Sequence, residues 1–131
     1  MRKGTLIKTL VAVGAFVAAT AAQAFEAKPY DAAAFKAAQA AGSPILVHVT
    51  APWCPTCKAQ HAALDGINKN ADYAKVAVFD VDFDTQKDAL KSFKANSQST
   101  LIAYKGTAET GRLVGATQAG AIEGLLKSAL K

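Results

Sequence analysis

The sequence is short of cysteine, of long apolar runs and of charge of one sign, and each shortage closes off a class of protein. Two cysteines in 131 residues cannot build the multi-bridge framework of a disulfide-stapled small domain. The longest unbroken apolar stretch, Leu10 to Ala19, is well below the ~18–20 residues needed to span a bilayer. Internal repeats, low-complexity tracts and linkers are absent as well, so the length favours one domain.

What is present divides at residue 24. The segment "MRKGTLIKTLVAVGAFVAATAAQA" has an early positive charge from Arg2, Lys3 and Lys8, a short apolar middle and a small-residue end at Ala22-Gln23-Ala24. That is the layout of a secretory signal peptide, expected to be cleaved after Ala24. The other reading, an uncleaved membrane anchor, is opposed by the length of the apolar run. The residue directly after the cleavage point is Phe25 and not a cysteine, which argues against a lipid anchor. Three of the 15 basic residues and none of the 10 acidic ones lie in this segment. Residues 25–131 therefore carry 12 basic against 10 acidic side chains, a net charge of +2. So balanced a surface gives no reason to expect nucleic acid or an acidic membrane as partner.

An export signal places the protein in an oxidising compartment, here the bacterial periplasm. Both cysteines fall in "TAPWCPTCKAQH", at Cys54 and Cys57. They are a structural staple, half of a metal site, or a redox pair. A bridge over two residues closes a very short loop and constrains the unfolded chain little. Two thiols held within reach of each other make more sense as a chemical device.

The rest of the chain alternates between helical and strand patterns. Residues 31–41 form an Ala-rich helix with Asp31 as N-cap and Gly42 as its stop. "PILVHVT" (44–50) is a buried strand with His48 as a polar interruption. Residues 58–69 have helical character, with Ala59, Ala62, Ala63 and Leu64 able to face inward. Residues 76–84 form a second strand, 85–95 a helix, 100–104 a third strand and 111–115 its hairpin partner. Residues 117–131 close the chain as an amphipathic helix, with Ile122, Leu125, Leu126 and Ala129 at helical spacing. A short edge strand is expected near 25–28. This order implies an α/β fold whose central mixed sheet of four to five strands is flanked by helices.

"WCPTC" directly after a buried strand, the helix that follows, and the strand-turn-strand "STLIAYKGTAETGRLVG" (99–115) together resemble the thioredoxin family over nearly all of residues 25–131. "WCPTCKAQH" is similar to the periplasmic thioredoxin-like reductases of cytochrome c maturation, whose insertions this shorter chain lacks. The resemblance implies a thioredoxin fold and thiol–disulfide exchange with protein substrates, with no organic cofactor. A helix N-terminus favours negative charge, so a thiolate at Cys54 is expected to attack and Cys57 to resolve the mixed disulfide. In the family the first cysteine is the exposed one. Pro55 suits the first helical position. Trp53 is either a shield beside the site or a core aromatic.

Two departures from the family pattern stand out. The family usually carries a buried acid six positions before the first cysteine, as proton acceptor for the resolving thiol. Here that position is His48, and Asp80 lies where many thioredoxins have a lysine. A carboxylate beside a buried imidazole orients the ring and favours its charged form. His48 is thus a candidate proton relay for Cys57 with Asp80 holding it, or else a structural histidine. The second departure is Ser99-Thr100 where such domains carry cis-proline and threonine. A non-proline cis bond costs ~2.5–4 kcal/mol, so Gln98–Ser99 is expected to be trans. In the family this loop binds substrate backbone, which makes Trp53, Pro55, Ser99 and Thr100 the candidate substrate-binding residues.

The expected function is that of an exported protein-disulfide reductase, the direction following from the Pro-Thr pair between the cysteines. It would draw electrons from a membrane thiol donor, and nothing suggests more than a monomer. The alternative is a metal protein. Cys57 and His61 lie one helical turn apart, and with Cys54 and His48 they offer soft ligands for Cu(I) or Zn(II). The plainer reading of His61 is a solvated helix residue.

Overall fold

A computed structural model describes residues 14–15 and 24–131. The expected signal segment, 1–24, lies outside the described residues apart from 14, 15 and 24. Five strands and four helices follow in the order β1 (Ala27–Pro29), α1 (Ala32–Ala40), β2 (Pro44–Thr50), α2 (Pro55–Ile67), β3 (Ala77–Asp82), α3 (Lys87–Phe93), β4 (Thr100–Lys105), β5 (Ala108–Val114) and α4 (Ala119–Leu130).

The strands form one sheet in the order β1-β3-β2-β4-β5. β1, β3 and β2 run parallel. β4 is antiparallel to β2 and joined by a hairpin to β5. This is the expected α/β architecture with a mixed sheet, and β2 is its central strand. Successive side chains of a strand point to opposite faces, and the core is divided accordingly. Ile45, Val47 and Val49 of β2 meet Phe35 of α1 and Leu90 and Phe93 of α3. Leu46 lies on the other face with Leu64 and Ile67 of α2 and Ile122, Leu125 and Leu126 of α4. The first face is rich in rings: Phe35 packs edge-to-face against Phe79, Phe93 and Tyr104.

Most element ends fall within a few residues of expectation, and the differences have local causes. α2 begins at Pro55, the expected first helical position, with Cys54 as its N-cap, and ends at Ile67, two residues short of the expected 69. α3 begins late because the Asp82 carboxylate accepts from the N–H groups of Asp84 and Thr85, holding a turn there. It stops at Lys94, whose φ of 52° is left-handed. β5 is longer than the expected 111–115, and a register shift at Ala103/Tyr104 accommodates the extra length.

One helical face was misassigned. Ala59 and Ala62 are exposed, and α2 instead buries Cys57, Gln60, Leu64 and Ile67. The Ala-rich composition hides this stripe, but its spacing of three and four residues is that of a helix face. At its C-terminal end, Asn68 holds the start of the described domain. Its backbone oxygen accepts from Ala24 N–H at 2.9 Å, and its side-chain oxygen from Phe25 N–H at 2.6 Å.

Candidate redox site

The two cysteines sit where β2 hands over to α2. Cys54 has extended backbone angles, and its sulfur accepts the Cys57 N–H at 3.1 Å, as an N-cap side chain does. Cys54 and Cys57 are joined as a disulfide, their Cα atoms 5.3 Å apart. Both sulfurs therefore lie at the positive end of the α2 dipole.

The expectation that Cys54 would be exposed is corrected: Cys54 is 2 % and Cys57 1 % accessible. Ala51 and Phe83 pack around the pair, and Ser99 closes it. The Ser99 hydroxyl lies 3.1 Å from Cys54 Sγ and 3.2 Å from Cys57 Sγ. The peptide before Ser99 is trans, as expected, and Ser99 has a φ of +61°, a region that costs most L residues energy. Backbone hydrogen bonds hold it there. Its N–H donates to Val49 O at 2.8 Å, and its carbonyl accepts from Gly115 N–H at 2.9 Å and from the Gln60 amide at 3.0 Å.

The other candidate substrate contacts are spread differently. Trp53 is 57 % exposed rather than a core aromatic, and its indole N–H donates to Asp84 at 2.8 Å. Pro55 is exposed beside it. Thr100 is buried, and its hydroxyl donates to Ser97 O at 2.8 Å. Its backbone lies between β2 and β5, in register with Val49 and Val114. A cavity of about 300 Å³ adjoins the pair, lined by Thr50, Ala51, Pro52, Cys57, Lys58, His61 and Asp82. Larger clefts of about 610 and 490 Å³ lie elsewhere, at the starts of α1 and α3 and beside β1.

His48 and Asp80 are in register on neighbouring strands, with His48 Nδ1 3.5 Å from Asp80 Oδ1. That pairing is the expected one, but the route to Cys57 is not. His48 Nε2 bonds to Gln60 Oε1 at 2.9 Å, and the Gln60 amide nitrogen donates to the carbonyls of Ser99 and Ala116. The hydrogen bonds of Cys57 Sγ are with Ser99 Oγ and, at 4.0 Å, Val49 O. No hydrogen bond among the described residues joins the imidazole to either sulfur.

His61 stacks on His48 with ring centroids 4.5 Å apart, and its Nε2 lies 3.3 Å from Thr50 Oγ1. Burial, and then the neighbouring His48, holds its pKa below the ordinary imidazole value, against opposing pulls from Asp80 and Asp65. His61 is thus half-buried at the site rather than a solvated helix residue. The converging ligand set is His48, His61 and Asp80, without the cysteines of the expected metal alternative.

Gln60 was missed altogether, although it is fully buried and links three elements. The signal that could have found it is its place three residues after Cys57 and four before Leu64.

A mixed sheet of this order, with a bonded C-x-x-C capping the helix after its central strand, defines a thioredoxin-fold redox protein. The chain belongs to the thioredoxin family, whose family model matches residues 26–128. It is 31% identical over 93 residues to a thioredoxin of Echinococcus granulosus, covering 71% of this chain and 85% of that one. It is 35% identical over 88 residues to a thioredoxin of Mycolicibacterium smegmatis, covering 66% and 79%. The crystal structure of Trxlp from Edwardsiella tarda EIB202 superposes with a TM-score of 0.74 at 44% identity, covering 77% of this chain and 98% of that one.

Proposed function

We propose that this protein reduces disulfides in other proteins, in the bacterial periplasm, by thiol–disulfide exchange. The observation that carries this reading is the Cys54–Cys57 pair at the α2 N-terminus with the Ser99 hydroxyl against both sulfurs. In the reduced protein, the Cys54 thiolate attacks one sulfur of a substrate disulfide and releases the other as a thiolate. A mixed disulfide forms. Cys57, deprotonated in turn, attacks the Cys54 sulfur and expels the second substrate thiol. Two electrons pass to the substrate, and the protein is left as its own disulfide.

Ser99 is the neutral donor common to both steps, and its hydroxyl stabilises whichever sulfur is anionic. This places hydrogen bonding to the sulfurs at Ser99 rather than at His48. Because both sulfurs are buried, attack requires a local movement that exposes Cys54. Electrons return from a thiol donor of the membrane.

Equilibration of the pair with glutathione buffers at pH 7 tests the direction. A potential near the roughly −270 mV of thioredoxin supports a reductase. One near the approximately −120 mV of a strong oxidant refutes it. Loss of insulin reduction in Cys54→Ser checks the assignment of the attacking sulfur. Export is tested separately, by intact mass of the protein recovered from the periplasm, which should begin at Phe25.

A further inference from the structure

On the α2 face of the sheet, three side chains converge that the exchange chemistry does not use. One ligand-capable atom from each of His48, His61 and Asp80 lies within 4.8 Å of the other two.

Gln60 fixes the state of His48. The Gln60 amide nitrogen faces two carbonyl oxygens, those of Ser99 and Ala116, at 3.0 and 2.9 Å. Both of its N–H bonds are used there, so the oxygen is the atom turned to His48 Nε2. Nε2 must then carry a hydrogen, which leaves Nδ1 of the neutral ring with a lone pair. Nδ1 faces Asp80 Oδ1 across 3.5 Å, and both atoms are buried without a hydrogen-bond partner.

Two lone-pair atoms facing each other away from water are costly unless something positive lies between them. A proton shared by nitrogen and oxygen draws them to about 2.7–2.9 Å. Two metal–ligand bonds of about 2.0–2.2 Å at a near-tetrahedral angle hold their outer atoms roughly 3.3–3.5 Å apart. The observed separation fits the second case.

We propose that His48 Nδ1, His61 and Asp80 form a binding site for a borderline divalent transition-metal ion such as Zn²⁺, with Gln60 as a positioning residue. Two imidazoles and one carboxylate suit such an ion and are a poor set for Mg²⁺ or Ca²⁺. Three protein ligands leave one position for water or a guest ligand. The hydrogen bond from His48 Nε2 to Gln60 is the outer contact that orients metal-bound histidines and sets their tautomer. The Asp80 side chain is 27% exposed, and His61 lines the 300 Å³ cavity, so an ion has a way in. Once bound, it would tie α2 to both β2 and β3.

The test is calorimetric titration of Zn²⁺, with Mg²⁺ for comparison, into metal-stripped oxidised protein, in which the sulfurs are bonded to each other. The expected result is one Zn²⁺ per chain, no Mg²⁺ binding, and affinity lowered roughly 10-fold or more in His61→Ala and in Asp80→Asn. The double variant Cys54→Ser/Cys57→Ser should bind as well as the parent. No saturable Zn²⁺ binding, unchanged affinity in both ligand variants, or loss in the double serine variant each overturns the proposal. Imidazole nitrogen NMR of the unsubstituted protein gives a check that needs no variant. Zn²⁺ should shift His48 Nδ1 while Nε2 stays protonated, and metal on Nε2 would refute the assignment. Disulfide reduction is measured separately and does not bear on this result.

Discussion

Removing the Ser99 hydroxyl should change the acidity and the potential of the cysteine pair by a calculable amount. The hydroxyl is buried and 3.1–3.2 Å from both sulfurs, with no other side-chain partner among the described residues. In the exchange proposed above one sulfur of the reduced pair is a thiolate, and a hydrogen bond to a charged acceptor is worth about 1.5–3 kcal/mol. At 1.36 kcal/mol per unit, its loss in Ser99→Ala should raise the thiolate pKa by about 1–2 units. The dithiol form loses stability relative to the disulfide, so the potential should fall, by about 30 mV for each 1.4 kcal/mol. Thiolate absorbance near 240 nm against pH reads the first quantity, and glutathione equilibration reads the second. Ser99→Gly separates the hydroxyl from the backbone. It also removes the hydroxyl but relieves the positive φ, so it should be more stable than Ser99→Ala by about 1 kcal/mol. Both variants should shift the pKa alike. An unchanged pKa and potential in both would refute the reasoning, because the hydroxyl would then not be bonding to the thiolate.

Three further outcomes are expected. Gln60→Leu leaves His48 Nε2 and the Ala116 carbonyl without this partner and takes one of two donors from the Ser99 carbonyl, which keeps the Gly115 N–H. Denaturant unfolding should show a loss of about 2–3 kcal/mol, and a loss below about 0.5 kcal/mol would contradict the network. Burial, then the hydrogen bond to Glu123, pushes the Tyr73 phenol up to about 12. Its folded pKa is above the unfolded value, so its stabilisation is complete below pH 10 and is lost as the pH climbs through 12. Burial raises Tyr30 and Tyr104 as well, so ultraviolet titration of Tyr73→Phe should lose the last-ionising of the three tyrosines. Trp53 is largely exposed, so Trp53→Ala should alter stability by no more than about 0.5 kcal/mol. It should slow reduction of a protein disulfide more than that of a small aromatic disulfide, and equal slowing would remove Trp53 from the docking surface.

The fold was legible because its signals are periodic. β-branched runs marked β2 and β3, and the spacing of Ile122, Leu125, Leu126 and Ala129 marked the buried face of α4. His48 and Asp80 could be paired because they fall at two positions that the family resemblance sets against each other, and the structure has them in register on neighbouring parallel strands. Gln60 escaped because it is polar within an Ala-rich helix, and composition outweighed spacing there. The burial of Cys54 was not legible because it depends on Ser99, 45 residues away, whose left-handed backbone has no local sequence signature. Nor could spacing reveal that the imidazole bonds to an amide instead of a sulfur. That follows from which face of α2 lies against the sheet.

The hold of Asn68 on Ala24 and Phe25 would give the expected cleavage after Ala24 a structural consequence. Asn68 is the C-cap of α2, and its side chain receives the Phe25 N–H. Cleavage after Ala24 would give up the Ala24 bond and turn the Phe25 amide into a free ammonium at the negative end of the helix whose positive end faces the sulfurs. The new charge would complement that end of the dipole. If the expected cut after Ala24 is made, it would thereby complete the far end of the helix whose start carries the cysteines.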